Sequence, residues 1–99
     1  MKRPSEESQK AWMKDNLRTD IKSIEKMYDE LSDSARSCDY ESVIKGILKK
    51  DDLLEDINET YYHEYLSQDN KEECMMTINR ACHEKEVEFK RQLKHSCPL

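Results

Sequence analysis

The first third of the chain carries apolar residues at the spacing of an amphipathic helix. From residue 17 to residue 38, an apolar side chain recurs after four and then three residues. The positions in this ladder are Leu17, Ile21, Ile24, Tyr28, Leu31, Ala35 and Cys38. Alternating steps of four and three place side chains on one face of an α-helix, whereas a strand repeats every two residues. The pattern predicts a long first helix.

Residues that favour helix starts and helix ends lie at both ends of this first helix. Pro4 suits a first helical turn, where its missing N–H is not needed, and Ser5 suits the capping position. The serines and aspartates of segment 32–39 compete for backbone hydrogen bonds. We therefore expect helix one over about residues 5–35, followed by a turn.

A broad apolar face follows this turn and predicts helix two over about residues 39–67. Its members are Tyr40, Val43, Ile44, Ile47, Leu48, Leu54, Ile57, Tyr61 and Tyr65. Gly46, the only glycine, weakens the helix locally, and Asp52 followed by Glu55 resembles a capping box. A continuous helix and a helix split near Asp52 both remain open.

A second capping-box pattern, Asp69 with Glu72, precedes a third apolar face and predicts helix three over about residues 70–95. This face contains Met75, Ile78, Cys82, Phe89 and Leu93. Lys85 and Glu86 interrupt it, as Lys50 interrupts the face before it. We expect these three charged residues to set the register against a partner.

Three helices joined by short turns must fold back on one another. The sequence thus predicts an all-α chain, a single helical domain over residues 1–99 arranged as an antiparallel three-helix bundle, with coiled-coil-like association as an option. In the alternative, helix one is a separate arm and helices two and three form a hairpin. The strict heptad spacing of helix one keeps this alternative open.

The composition indicates a thin core. The chain has 35% hydrophobic and 39% charged residues, whereas typical globular domains have about 45% and 25%. Little buried apolar surface yields marginal stability, so we expect a partner, either another helical protein or a second copy in a homodimer. The function predicted from this mismatch is that of a non-enzymatic interaction protein, a small adaptor or a subunit of a larger complex.

Apolar seams and exposed aromatics are the candidate interface residues. Tyr62 cannot share the inward face of its neighbours, because consecutive residues diverge around a helix, so we expect it to be partly exposed. Aromatic side chains are enriched at protein interfaces. The candidate interface comprises Trp12, Met13, Leu17, Ile21, Ile24, Tyr28, Leu31, Tyr62, Tyr65 and Leu66.

The formal net charge of -5 comes from the middle of the chain. No Lys or Arg lies between Lys50 and Lys71. The carboxylates in that stretch include Asp51, Asp52, Glu55, Asp56 and Glu59. They predict a solvated helix face or a docking face for a basic partner, and so a second function, an acidic regulatory inhibitor of a basic site on an enzyme or nucleic-acid-binding protein. Direct binding to nucleic acid is disfavoured, because phosphates require a positive field.

Catalytic, cofactor and metal signatures are missing from the sequence. Adjacent residues on a helix point about 100° apart, so Cys82 and His83 do not form a nucleophile and base pair. The cysteine and histidine spacings do not match those of zinc sites. We therefore predict no enzyme, no cofactor and no metal, with Cys38, Cys74 and Cys82 as small packing residues. In an oxidising compartment, Cys38 would pair with Cys74 or Cys82.

The location expected from the sequence is cytoplasmic or nuclear. No apolar run follows the first basic residues, as a secretory signal would require. No stretch approaches the roughly 20 apolar residues that cross a bilayer, so we expect no membrane insertion. Reduced thiols are typical of these compartments.

Overall fold

The computed structural model describes residues 3–62 and 66–97, and its regular structure consists of three helices. They are α1 (Glu6–Arg36), α2 (Tyr40–Tyr61) and α3 (Gln68–Ser96), and the described part of the chain contains no strand. The bundle is elongated, with principal extents of 53 × 19 × 18 Å. The predicted all-α antiparallel three-helix bundle is confirmed.

Side-chain caps explain where the helices begin. Ser5 and Asp39 accept a hydrogen bond from the backbone N–H three residues further on, and so does Ser67. Helix α3 therefore begins two residues earlier than predicted, because Ser67 and not Asp69 is its capping residue. At the turn before α2, Cys38 adopts a positive φ of 54°.

Helix α2 is continuous past Gly46 and Asp52 but ends at Tyr61, six residues before the predicted end. The chain after it is anchored to α1. Leu66 is fully buried, and the backbone N–H of Ser67 donates to Gln9 Oε1 at 2.8 Å. Ser67 and Gln9 are 58 positions apart, so sequence periodicity could not reveal this contact.

The core lies around α1, on which both other helices pack. Its buried members are Met13, Ile24, Tyr28, Leu31 and Ala35 of α1, Val43, Ile57 and Tyr61 of α2, Leu66, and Cys74, Ile78 and Phe89 of α3. Helices α2 and α3 contact each other far less than either contacts α1. The alternative with a separate first arm is therefore wrong, because the apolar ladder of α1 is covered by its own chain.

The charged residues that interrupt the seams pair within the chain. Tyr28 donates to Glu86 Oε2 at 2.6 Å, and Lys50 Nζ lies 3.4 Å from the same oxygen. Lys85 Nζ lies 3.5 Å from Asp29 Oδ1. Partial burial alone would raise the pKa of Glu86, but the Tyr28 hydroxyl and the Lys50 ammonium hold it below its ordinary value. These contacts set the register among the chain's own helices.

A polar network aligns the N-terminal ends of α1 and α3. Gln9 and Asn70 are both buried. Asn70 Nδ2 donates to Gln9 Oε1 at 2.9 Å and to the Glu6 carboxylate, while Gln9 Nε2 donates to the Pro4 carbonyl at 2.9 Å. Because a buried amide without partners costs free energy, this network favours one alignment of the two helices.

A disulfide between Cys38 and Cys97 ties the turn before α2 to the end of α3, with the two Cα atoms 5.5 Å apart. The predicted pairing of Cys38 with Cys74 or Cys82 is wrong, and both of those thiols are free. Cys74 lies near the opposite end of α3, next to Glu73, whose carboxylate pairs with Lys10 of α1 at 2.7 Å.

Candidate interaction surface

Most residues of the predicted interface lie inside the bundle. Those that are buried are Met13, Ile24, Tyr28, Leu31 and Leu66, while Trp12, Leu17 and Ile21 pack against the core with part of their surface exposed. A partner reaches the buried side chains only if the bundle opens. Tyr62 is 65% exposed, as expected for a residue that cannot face the seam. Tyr65 lies outside the described residues.

A different set of apolar side chains is exposed on α2. Tyr40, Ile44 and Leu48 are 50%, 60% and 61% exposed, and we call them the apolar stripe. Steps of four residues keep them on one side of the helix. Ile44 and Leu48 directly follow Val43 and Ile47, which pack in or against the core, so their side chains are rotated about 100° from the core direction. Because α2 and α3 make little contact, no described residue covers this side.

Five exposed carboxylates follow the apolar stripe along α2. We call Asp51, Asp52, Glu55, Asp56 and Glu59 the acidic stripe. Lys50 Nζ lies 3.8 Å from Asp51, and no other ion pair from residues 3–62 or 66–97 reaches the stripe. The Lys50 side chain is only 13% exposed and is shared with Glu86, so it neutralises little of the outer surface. The exposure agrees with the predicted acidic face, and docking there stays a prediction.

Sequence reasoning placed the apolar stripe on the inward face of helix two and so missed its exposure. One signal could have revealed it. Val43 is followed directly by Ile44, and Ile47 by Leu48. Adjacent residues diverge by about 100°, so a helix packed along one side cannot bury both members of two such pairs.

The other surfaces of the described residues carry less exposed apolar area. Met76 and Val87 of α3 are exposed singly, as is common for soluble domains. A shallow cleft between α1 and α2 has Leu31 in its wall and carries charges of both signs, Glu30 and Lys45 among them. Its two serine hydroxyls make local helix contacts, since Ser34 donates to the Glu30 carbonyl and Ser42 donates to the carboxylate of the capping residue Asp39.

The free thiols are poor nucleophiles. Burial raises the pKa of Cys74 to about 11, and burial also raises the pKa of Cys82. Both groups therefore stay protonated at neutral pH, whereas reactive cysteines are thiolates.

Among the described residues, no three His, Cys, Asp or Glu side chains are grouped as metal ligands. No helix in that part of the chain has the length and apolar character needed to cross a membrane.

Comparison with known protein families, with curated proteins and with solved structures found no match to this chain. The surface chemistry of the bundle itself is therefore what indicates its function.

Proposed function

We propose that this chain is a non-enzymatic interaction protein, a small adaptor or subunit that binds another protein through the exposed side of α2. The apolar stripe is the observation that carries the proposal. Three large side chains at one helical face, each at least half exposed, form a contiguous patch rather than scattered surface residues.

The size of the patch limits what it can do alone. Complete burial of one large apolar side chain contributes about 1.5–3 kcal/mol. Covering the exposed portions of three such side chains therefore contributes about 3–5 kcal/mol in total. Association costs about 4–15 kcal/mol in lost translational and rotational freedom. A stable complex thus needs contacts beyond the apolar stripe.

Site-specific cross-linking tests the proposal. A photo-reactive residue placed at Glu41, which lies three residues before Ile44 on α2 and has an exposed side chain, should capture a protein that the same residue at Arg80 of α3 does not. The captured protein is then identified, purified and mixed with the chain. The double substitution Ile44→Asp with Leu48→Asp should abolish binding, while the matched Met76→Asp retains it. Full binding by the folded double variant would reject the proposal.

The acidic stripe supports a second candidate function, an acidic inhibitor that occupies a basic site on an enzyme or nucleic-acid-binding protein. Four of its carboxylates have no ion-pair partner in the described chain. Contact through charge alone would survive Leu48→Asp but weaken steeply between about 50 and 500 mM salt, as the Debye length falls from about 14 Å to about 4 Å. In contrast, an adaptor that uses its apolar stripe should lose binding when Leu48 is replaced by Asp.

The disulfide bears on where the protein acts. We propose the cytoplasm or nucleus from the sequence, yet disulfides form chiefly in oxidising compartments. Differential alkylation of Cys38 and Cys97 in intact cells distinguishes a reducing location from an oxidising one. Free thiols at both positions support the cytoplasm or nucleus, and a resistant disulfide supports an oxidising compartment.

A further inference from the structure

We propose that the apolar and acidic stripes are two halves of one binding surface for an amphipathic helix that carries apolar residues along one half of its length and lysines and arginines along the other. This inference rests on the proposed function, because it names the chemistry of the partner that binds α2.

The two stripes follow a single face of the helix. Its positions are Tyr40, Ile44, Leu48, Asp51, Glu55 and Glu59, at steps of four, four, three, four and four residues. Steps of three and four keep side chains on one side of a helix, as in the core seams. At 1.5 Å per residue this face is about 29 Å long, so a matching partner helix needs about 20 residues. The polarity of the face changes once, after Leu48.

The charge of the second half selects a basic partner. All five carboxylates of the acidic stripe are exposed, and the sequence contains no Lys or Arg from residue 51 to residue 70. Lys50 points inward to Glu86. A helix that lies along the whole face extends over these carboxylates, and lysines or arginines there would both pair with them and speed the encounter.

A second copy of the chain fits this surface poorly. A parallel pair of α2 helices would place one acidic stripe against the other. In an antiparallel pair centred on Ile44, Glu55 and Glu59 would lie about 17 Å and 22 Å from the centre. The partner's α2 begins at Tyr40, only about 6 Å from its own centre. Most of the acidic stripe would then project past the end of the other bundle.

A synthetic helix provides the direct test. The probes are two lysine peptides of about 20 residues, with leucines at steps of four residues in one half and lysines at steps of three and four in the other, one peptide for each order of the two halves. Each has a control peptide with glutamate in place of each lysine. Fluorescence anisotropy with the full chain should detect binding of at least one lysine peptide and none of its glutamate control.

Two variants with matched controls assign the contact to the two stripes. Leu48→Asp, and separately Glu55→Gln with Glu59→Gln, should each weaken peptide binding about tenfold or more. The controls on α3, Met76→Asp and Glu84→Gln with Glu88→Gln, should change it by less than about twofold, as expected for sites outside the contact. Circular dichroism verifies that each variant is folded.

The outcomes separate this inference from the proposed function. Binding of no lysine peptide, or equal binding of a lysine peptide and its glutamate control, would overturn the basic helix as partner while leaving cross-linking through Glu41 unaffected. A dimer seen by light scattering and dissociated by Leu48→Asp would assign the surface to a second copy and also overturn it. If Glu55→Gln with Glu59→Gln left peptide binding unchanged while Leu48→Asp weakened it, the contact would be confined to the apolar stripe. That result would reject the combined surface.

Discussion

The Cys38–Cys97 disulfide should be the largest single contribution to the stability of this fold that can be switched off without touching the core. It joins residues 59 positions apart and holds the end of α3 against the turn before α2. Its removal by Cys97→Ser is a conservative change. The Cys97 sulfur lies 3.2 Å from the Ala35 carbonyl oxygen, to which a serine hydroxyl could donate.

The expected magnitude follows from the length of the closed loop. In the chain-entropy model, a cross-link stabilises by restricting the unfolded chain, and the gain grows with the logarithm of loop length. For a separation of 59 residues the gain at room temperature is about 4 kcal/mol. Small domains have a total free energy of unfolding of about 5–15 kcal/mol. Loss of the bridge should therefore remove a large share.

Urea unfolding with and without a dithiol reductant measures this contribution. Reductant should lower the free energy of unfolding of the native chain by about 4 kcal/mol, and should leave Cys97→Ser unchanged. Cys82→Ser is the matched control, since Cys82 carries a free thiol. This control should respond to reductant as the native chain does.

The reasoning would be refuted by a native chain whose unfolding is insensitive to reductant while mass spectrometry shows that the bridge has opened. It would equally be refuted if Cys97→Ser lost stability on reduction, because no other disulfide occurs in the described residues.

Three further substitutions test the packing, a hydrogen bond and the pH dependence. Gly46→Ala should lower the free energy of unfolding by about 1 kcal/mol, because its Cβ would meet Leu31 Cδ2 at 2.5 Å, and overpacking of about 1–3 kcal/mol outweighs about 1 kcal/mol of helix propensity; urea unfolding checks the sign. Tyr61→Phe removes the 2.6 Å hydrogen bond to Asp20 Oδ2 and should cost about 1–2 kcal/mol by the same assay. Folding holds the pKa of Glu86 below its ordinary 4.5, so its stabilisation is present above pH 4.5 and is lost as pH falls through the folded-state pKa. Glu86→Gln should therefore flatten the acid limb of the stability profile, and an unchanged slope would contradict the role assigned to this carboxylate.

Local pattern was sufficient to predict the number, order and approximate position of the helices. Helical periodicity is a property of neighbours three and four residues apart, so a sequence displays it directly. The end of α2 was not predictable in this way, because the segment that follows it is held by the burial of Leu66 and by the hydrogen bond from Ser67 to Gln9 of α1. The strength of a contact between distant segments leaves no mark on local spacing.

By itself, the sequence determined that the chain forms three amphipathic helices. It also determined that five carboxylates of α2 lie in a stretch that contains no lysine or arginine. Only the tertiary structure decided that Tyr40, Ile44 and Leu48 stay exposed and that Cys38 meets Cys97. The physical reason is common to both. The periodicity of a helix depends only on residues within its own turns. Its rotation about its axis, and the residues that contact its ends, are set by the helices packed against it.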